Sequence, residues 1–187
     1  MKTKNFIRPL VIALVLLLIP LFGTLLGSGI EGQGWYWTPW DFILMGSIIY
    51  IAGLFFEFFA TRSSSLAYKA GAGLAVLTAF LILWVTLAVR IIGDDNPVNL
   101  LYYVLILVGL IGAFISRFKP LGMMRAALVT AVVQIAIPTI AVIFFPTFDF
   151  SPGVLPVFGM NAVLALMWIA SALLFRSAAG TNKVQVA

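Results

Sequence analysis

Hydrophobic and polar positions follow one long period along this chain. Apolar runs of about bilayer length are separated by short polar turns. Six runs stand out, at about 6–27, 41–60, 70–93, 98–116, 124–145 and 154–175. At a helical rise of 1.5 Å per residue, each is near the roughly 20 residues that cross a hydrocarbon core of ~30 Å. Strand alternation is missing from the runs, and lipid offers no partner to open backbone groups, so each run predicts a helix. The expected fold is all-α: an integral membrane bundle of six transmembrane helices forming one domain over residues 1–187.

The polar turns change character in sequence. The amino terminus carries Lys2, Lys4 and Arg8, the second loop Arg62 and Lys69, the fourth Arg117, Lys119 and Arg125, and the tail Arg176 and Lys183. Glu31 and Asp41, then Asp94 and Asp95, then Asp149 mark the intervening loops. Of eleven basic residues, only Arg90 falls toward the acidic side. Lys and Arg concentrate in cytoplasmic loops, so both termini are expected in the cytoplasm. A miscount of one helix would scramble this alternation, so charge supports the count of six independently of hydropathy. The first run is expected to be a retained span rather than a signal peptide. It is longer than a signal core of roughly 7–15 residues and lacks an A-x-A-like site after it.

Composition narrows the chemistry. The chain is 63% hydrophobic and 9% charged, against roughly 25% charged residues in a soluble domain. Lipid must therefore be the solvent for much of its surface. With no cysteine and no histidine, disulfides, thiol catalysis, the usual zinc sites and His-ligated haem are excluded. No cofactor and no metal are expected. The net charge of +5 is spread loop by loop and does not describe a nucleic-acid surface. No nucleophile–base pair, phosphate loop or paired-carboxylate motif appears.

An ionisable residue inside a span is costly and invites a functional reading. Glu57, flanked by four phenylalanines, lies about one turn from the cytoplasmic end of the second run. Either it binds protons in a cavity, or it reaches the interface or pairs with Arg62 or Arg117. Arg90 lies about one turn from the outer end of the third run. Either it pairs with Asp94 one helical turn on and snorkels outward, or it contacts a lipid phosphate. Near the middle of the spans lie Thr78, Gln134 and Thr139, with Pro138 interrupting the backbone ladder of the fifth helix. Asn161 suits an interhelical hydrogen bond. Asn96 and Pro97 suit a helix cap and first turn, and Asp94, Asp95 and Asp149 lack the spacing of a calcium loop.

Trp35, Tyr36, Trp37 and Trp40 form an outer aromatic surface, either a headgroup belt or a stacking surface for a sugar, lipid or protein. Small residues mark helix contacts at Gly23 and Gly27, at 70–73, and at Gly109 and Gly112. Gly53-Leu54 precedes Lys69-Ala70 as Gly109-Leu110 precedes Arg125-Ala126, at an offset of 56. This spacing fits either a duplicated hairpin or two unrelated hairpins of bilayer length.

Trp37-Thr38-Pro39-Trp40-Asp41-Phe42, Gly93-Asp94-Asp95-Asn96-Pro97-Val98-Asn99-Leu100 and Arg117-Phe118-Lys119-Pro120-Leu121-Gly122-Met123 resemble a family of small, uncharacterised bacterial multi-pass inner-membrane proteins. The resemblance spans most of residues 35–145. It implies a bacterial inner-membrane location and carries over no activity, ligand or site residue. The function expected is non-enzymatic: an accessory or scaffold subunit acting through helix and loop contacts, with the bilayer and a membrane-protein partner or a second copy as its partners. The alternative is a small transporter or channel, proton-coupled through Glu57.

Overall fold

The computed structural model describes residues 3–26, 36–93, 96–146 and 150–184. Among them there is no strand. The helices are α1 (Lys4–Leu26), α2 (Pro39–Ala60), α3 (Leu66–Ala88), α4 (Leu101–Ile115, preceded by a 3₁₀ turn Pro97–Leu100), α5 (Pro120–Phe144) and α6 (Val154–Val184). Among the described residues six segments are long and apolar enough to cross a membrane, that of α4 including its 3₁₀ turn.

Local sequence explains most of the helix ends. Asp41 closes the start of α2: the Thr38 backbone N–H and hydroxyl both donate to its carboxylate, at 2.7 and 2.8 Å. Pro39 then fills the first helical position, where a missing N–H costs nothing. Ser65 caps α3 by accepting from the Tyr68 N–H, so this helix starts one turn before the apolar run does. α3 stops at Ala88, where the sequence pattern ran on to Gly93. Beyond it, Arg90 and Gly93 adopt positive φ of 49° and 62°, which an α-helix cannot continue through. Asn96 accepts from the Val98 N–H and Pro97 starts the 3₁₀ turn. α4 ends in a Schellman arrangement, with Phe118 N–H donating to the Ala113 carbonyl and Arg117 N–H to that of Phe114. Arg117 occupies the left-handed position (φ 49°) where glycine is usual.

The chain divides into two compact units, Met1–Phe58 and Phe59–Ala187. In the first, α1 and α2 meet at close points. A Cβ on Gly53 would lie 2.6 Å from the Pro9 Cβ, and one on Gly46 would lie 3.0 Å from Leu17. The only buried residues described here are Pro9, Ala13 and Pro20, along one face of α1.

In the second unit α6 packs on α3 and α5, and α4 packs on α5 and α3. Each helix therefore has two neighbours and the four enclose one core, in which Ile82, Ile91, Tyr102, Leu105, Ile137, Val157 and Trp168 are buried. Small residues make the close approaches. Gly71 of α3 abuts the Ser171 carbonyl of α6, and Gly112 of α4 abuts Ala126 of α5. Gly53 is met by α1, whereas Gly109 is met by α5 through Thr130. The two would-be copies of the duplicated hairpin thus have different neighbours.

Candidate functional site

Two polar clusters merit attention, one in each unit. The first is built on α4, α5 and α6. Asn161 lies seven residues into α6 and is fully buried, as are Gln134 of α5 and Tyr102 of α4. The Asn161 side-chain N–H₂ donates to the Val157 carbonyl one turn earlier, at 2.8 Å. A carbonyl can only accept, so this bond fixes the amide and turns Oδ1 toward the bundle. Oδ1 then accepts twice, from Gln134 Nε2 at 2.8 Å and from the Tyr102 hydroxyl at 3.0 Å. Gln134 must present its N–H₂ to this oxygen, which leaves Gln134 Oε1 without a protein partner. One residue thus joins three helices through two interhelical hydrogen bonds. Asn161 lies about 10 Å in from the start of α6 by helix rise, and Gln134 lies near the middle of α5.

The surrounding hydroxyls are occupied locally. Those of Thr78, Thr130 and Thr139 bond carbonyls four residues back on their own helices. Thr139 faces outward, and only Thr78 and Thr130 are buried. Pro138 is buried within α5, which runs through it. Ser171 donates to the Gly71 carbonyl at 2.8 Å and ties α6 to α3. Trp168 Nε1 is buried without a protein partner.

The second cluster lies in the hairpin of α1 and α2. Glu57 is paired with Arg8, Nη1 to Oε1 at 4.0 Å, with side chains 14% and 66% exposed respectively. Arg8 is a partner that the sequence reading did not name. In the second unit Arg62 lies over the Phe118 ring, 4.9 Å from its centre. Arg8 and Glu57 border a shallow groove of about 330 Å³ whose other walls are Ile7, Pro9, Val11, Ile12, Gly53 and Phe56.

The remaining described candidates do not join either cluster. Arg90 follows α3 instead of lying inside it and is exposed, so no helical turn carries it to Asp94. Asp94 itself, with Asp95, Asp149, Glu31, Gly27 and Trp35, lies outside the described residues. Tyr36 and Trp40 are exposed, and Trp37 turns onto Phe42 edge-to-face at 5.2 Å. Among the described residues no three carboxylates gather as metal ligands.

Sequence reasoning missed Tyr102 and Arg8. Tyr102-Tyr103 at a helix start reads as an interfacial pair, and nothing in its spacing points to Asn161. Arg8 reads as one of a basic amino-terminal group, although its place on the same side as Glu57 in the charge alternation was a usable signal. No family model, curated protein or solved structure matches the chain.

Proposed function

We infer that the chain is a multi-pass protein of the bacterial inner membrane, with both termini cytoplasmic, acting as a non-enzymatic accessory or scaffold subunit. The observation that carries this reading is the contrast in burial. Residues 59–187 enclose their own core, whereas the described residues of 1–58 include only three buried ones, all on α1, and present apolar helix faces outward. Such faces suit lipid and the helices of a neighbouring subunit or a second copy. The loop-by-loop alternation of basic and acidic residues supports the orientation.

The chain has no cysteine, so single-cysteine variants give a clean test. Ile19→Cys on α1 and Val132→Cys on α5 are both exposed sites. Cross-linking in native membranes should give one defined product from position 19 and none from position 132. Equal, diffuse products from both positions would sink the reading, as would native mass spectrometry of a gently extracted monomer without partners.

The transport reading draws on Glu57, whose carboxylate is largely covered beside a groove. Arg8 supplies it with a counter-charge, which accounts for the acid without proton transport. Liposome flux by the wild type and Glu57→Gln separates the two: a flux lost with the substitution would favour transport.

A further inference from the structure

The groove of the α1–α2 hairpin has a direction. Arg8 lies four residues from the start of α1 and Glu57 three residues from the end of α2, roughly 6 and 4.5 Å inside by helix rise. One helical turn deeper on each side come Ile12 and Gly53. The groove is therefore charged where α1 begins and α2 ends, and apolar deeper along both helices. Beneath the charges Pro9 closes on Gly53, where an added Cβ would lie 2.6 Å from the Pro9 Cβ, and Ile12 and Phe56 line the groove beside that contact.

The charges themselves are only partly used. At 4.0 Å the pair is too long for the 2.7–2.9 Å of a charge-assisted hydrogen bond. Arg8 is two-thirds exposed and keeps its planar fork of donors, which matches the oxygens of a phosphate. Were the fork to turn to a phosphate, Glu57 would be left 14% exposed without a counter-charge, which is costly. A ligand that brings a phosphate and a cation together removes that cost.

We propose that this groove binds an aminophospholipid, with its phosphate on Arg8, its primary ammonium on Glu57 and an acyl chain along Ile12 and Phe56. Charge complementarity selects this occupant. An anionic headgroup without an amine would meet the Glu57 carboxylate unpaired. A trimethylated headgroup has the positive charge but no N–H to donate. Lys4, exposed one turn before Arg8 on α1, adds a second cation to the helix that carries the phosphate-binding group. The proposal rests on the membrane reading above.

The test uses the full chain in nanodiscs of mixed phosphatidylcholine, phosphatidylglycerol and phosphatidylethanolamine, with native mass spectrometry of the lipids retained on ejection. Phosphatidylethanolamine should be retained on the order of tenfold over the other two, the scale of one charge-assisted hydrogen bond. Glu57→Gln should abolish the preference over phosphatidylglycerol. Arg8→Gln, at an exposed position that leaves packing intact, should lower retention of all three. Equal retention by the wild type overturns the proposal, and so does a preference for phosphatidylglycerol or a preference that survives both substitutions. A chain that does not enter the nanodisc overturns this proposal and the membrane reading together. A chain that enters and retains lipid without selectivity overturns this one alone.

Discussion

Residues 1–58 and 59–187 are built from comparably apolar helices, yet different forces hold them. The hairpin relies on close approach at Gly53 and Gly46 and on one long ion pair. The larger unit adds a shared core, a Ser171–Gly71 bond, and an asparagine that accepts from two neighbouring helices. In lipid, an apolar side chain gains little by leaving the solvent, so burial of leucine does not choose partners there. Shape and hydrogen bonding choose them instead. By that measure the second unit specifies its own arrangement, and the first leaves much of its surface open to other contacts.

The largest expected break in this contrast comes from Asn161→Leu. It removes one acceptor and strands two buried donors, Gln134 Nε2 and the Tyr102 hydroxyl, at a cost of about 2–3 kcal/mol. Hydrogen exchange should rise in α4, α5 and α6 and stay unchanged in α1. Exchange that rises evenly along the chain would mean that the two units are not independently held.

A matched pair of glycine substitutions comes next. A new Cβ meets Ala126 at 2.8 Å in Gly112→Ala and Pro9 at 2.6 Å in Gly53→Ala. The clashes are similar, but α5 is fixed by α6, whereas α1 buries few side chains and can move. Thermal unfolding in mild detergent should show a loss of about 1–3 kcal/mol for Gly112→Ala and a smaller one for Gly53→Ala. The reverse order would show that the hairpin is the stiffer part.

Tyr68→Phe should have a lesser effect. It deletes the 2.8 Å bond from the hydroxyl to the Phe118 carbonyl, a loss of about 1 kcal/mol in the same unfolding measurement. The ring contact with Phe175 at 5.1 Å stays. Arg8→Gln should be nearly silent in stability, within about 0.5 kcal/mol, as befits a long and partly exposed ion pair. Its effect belongs in lipid retention. A large loss of stability would make the pair a structural clamp.

How far the sequence reveals these features follows from the range of the signal. Helix contacts at Gly71, Gly109 and Gly112 could be read locally, because a small residue in an apolar run has few other uses. Gln134 and Asn161 stood out for the same reason, as amides among aliphatics. Their union with Tyr102 could not be read, since it depends on which helices are neighbours and at what height. The early end of α3 was hidden because Val89, Arg90, Ile91 and Ile92 continue the apolar pattern. These residues follow the helix into a turn that buries both isoleucines. Glu57 drew attention by its cost, but its partner lay 49 positions away on a helix whose contact with α2 no local pattern reports.

The turn between α3 and α4 has a consequence for chain length. The Asn99 side chain accepts from the Ile92 N–H at 3.0 Å and donates to the carbonyls of Gly93 and Asn96 at 2.8 and 3.0 Å. One buried amide therefore fastens the backbone on both sides of positions 94 and 95, and closes a ring whose circumference the helices do not feel. Lengthening such a closed loop costs little, only about 0.6 kcal/mol for each doubling. A peptide epitope spliced between Gly93 and Asn96 should thus leave the packing of α3 on α4 untouched. This makes the turn a place from which an antibody can report which side of the membrane it faces.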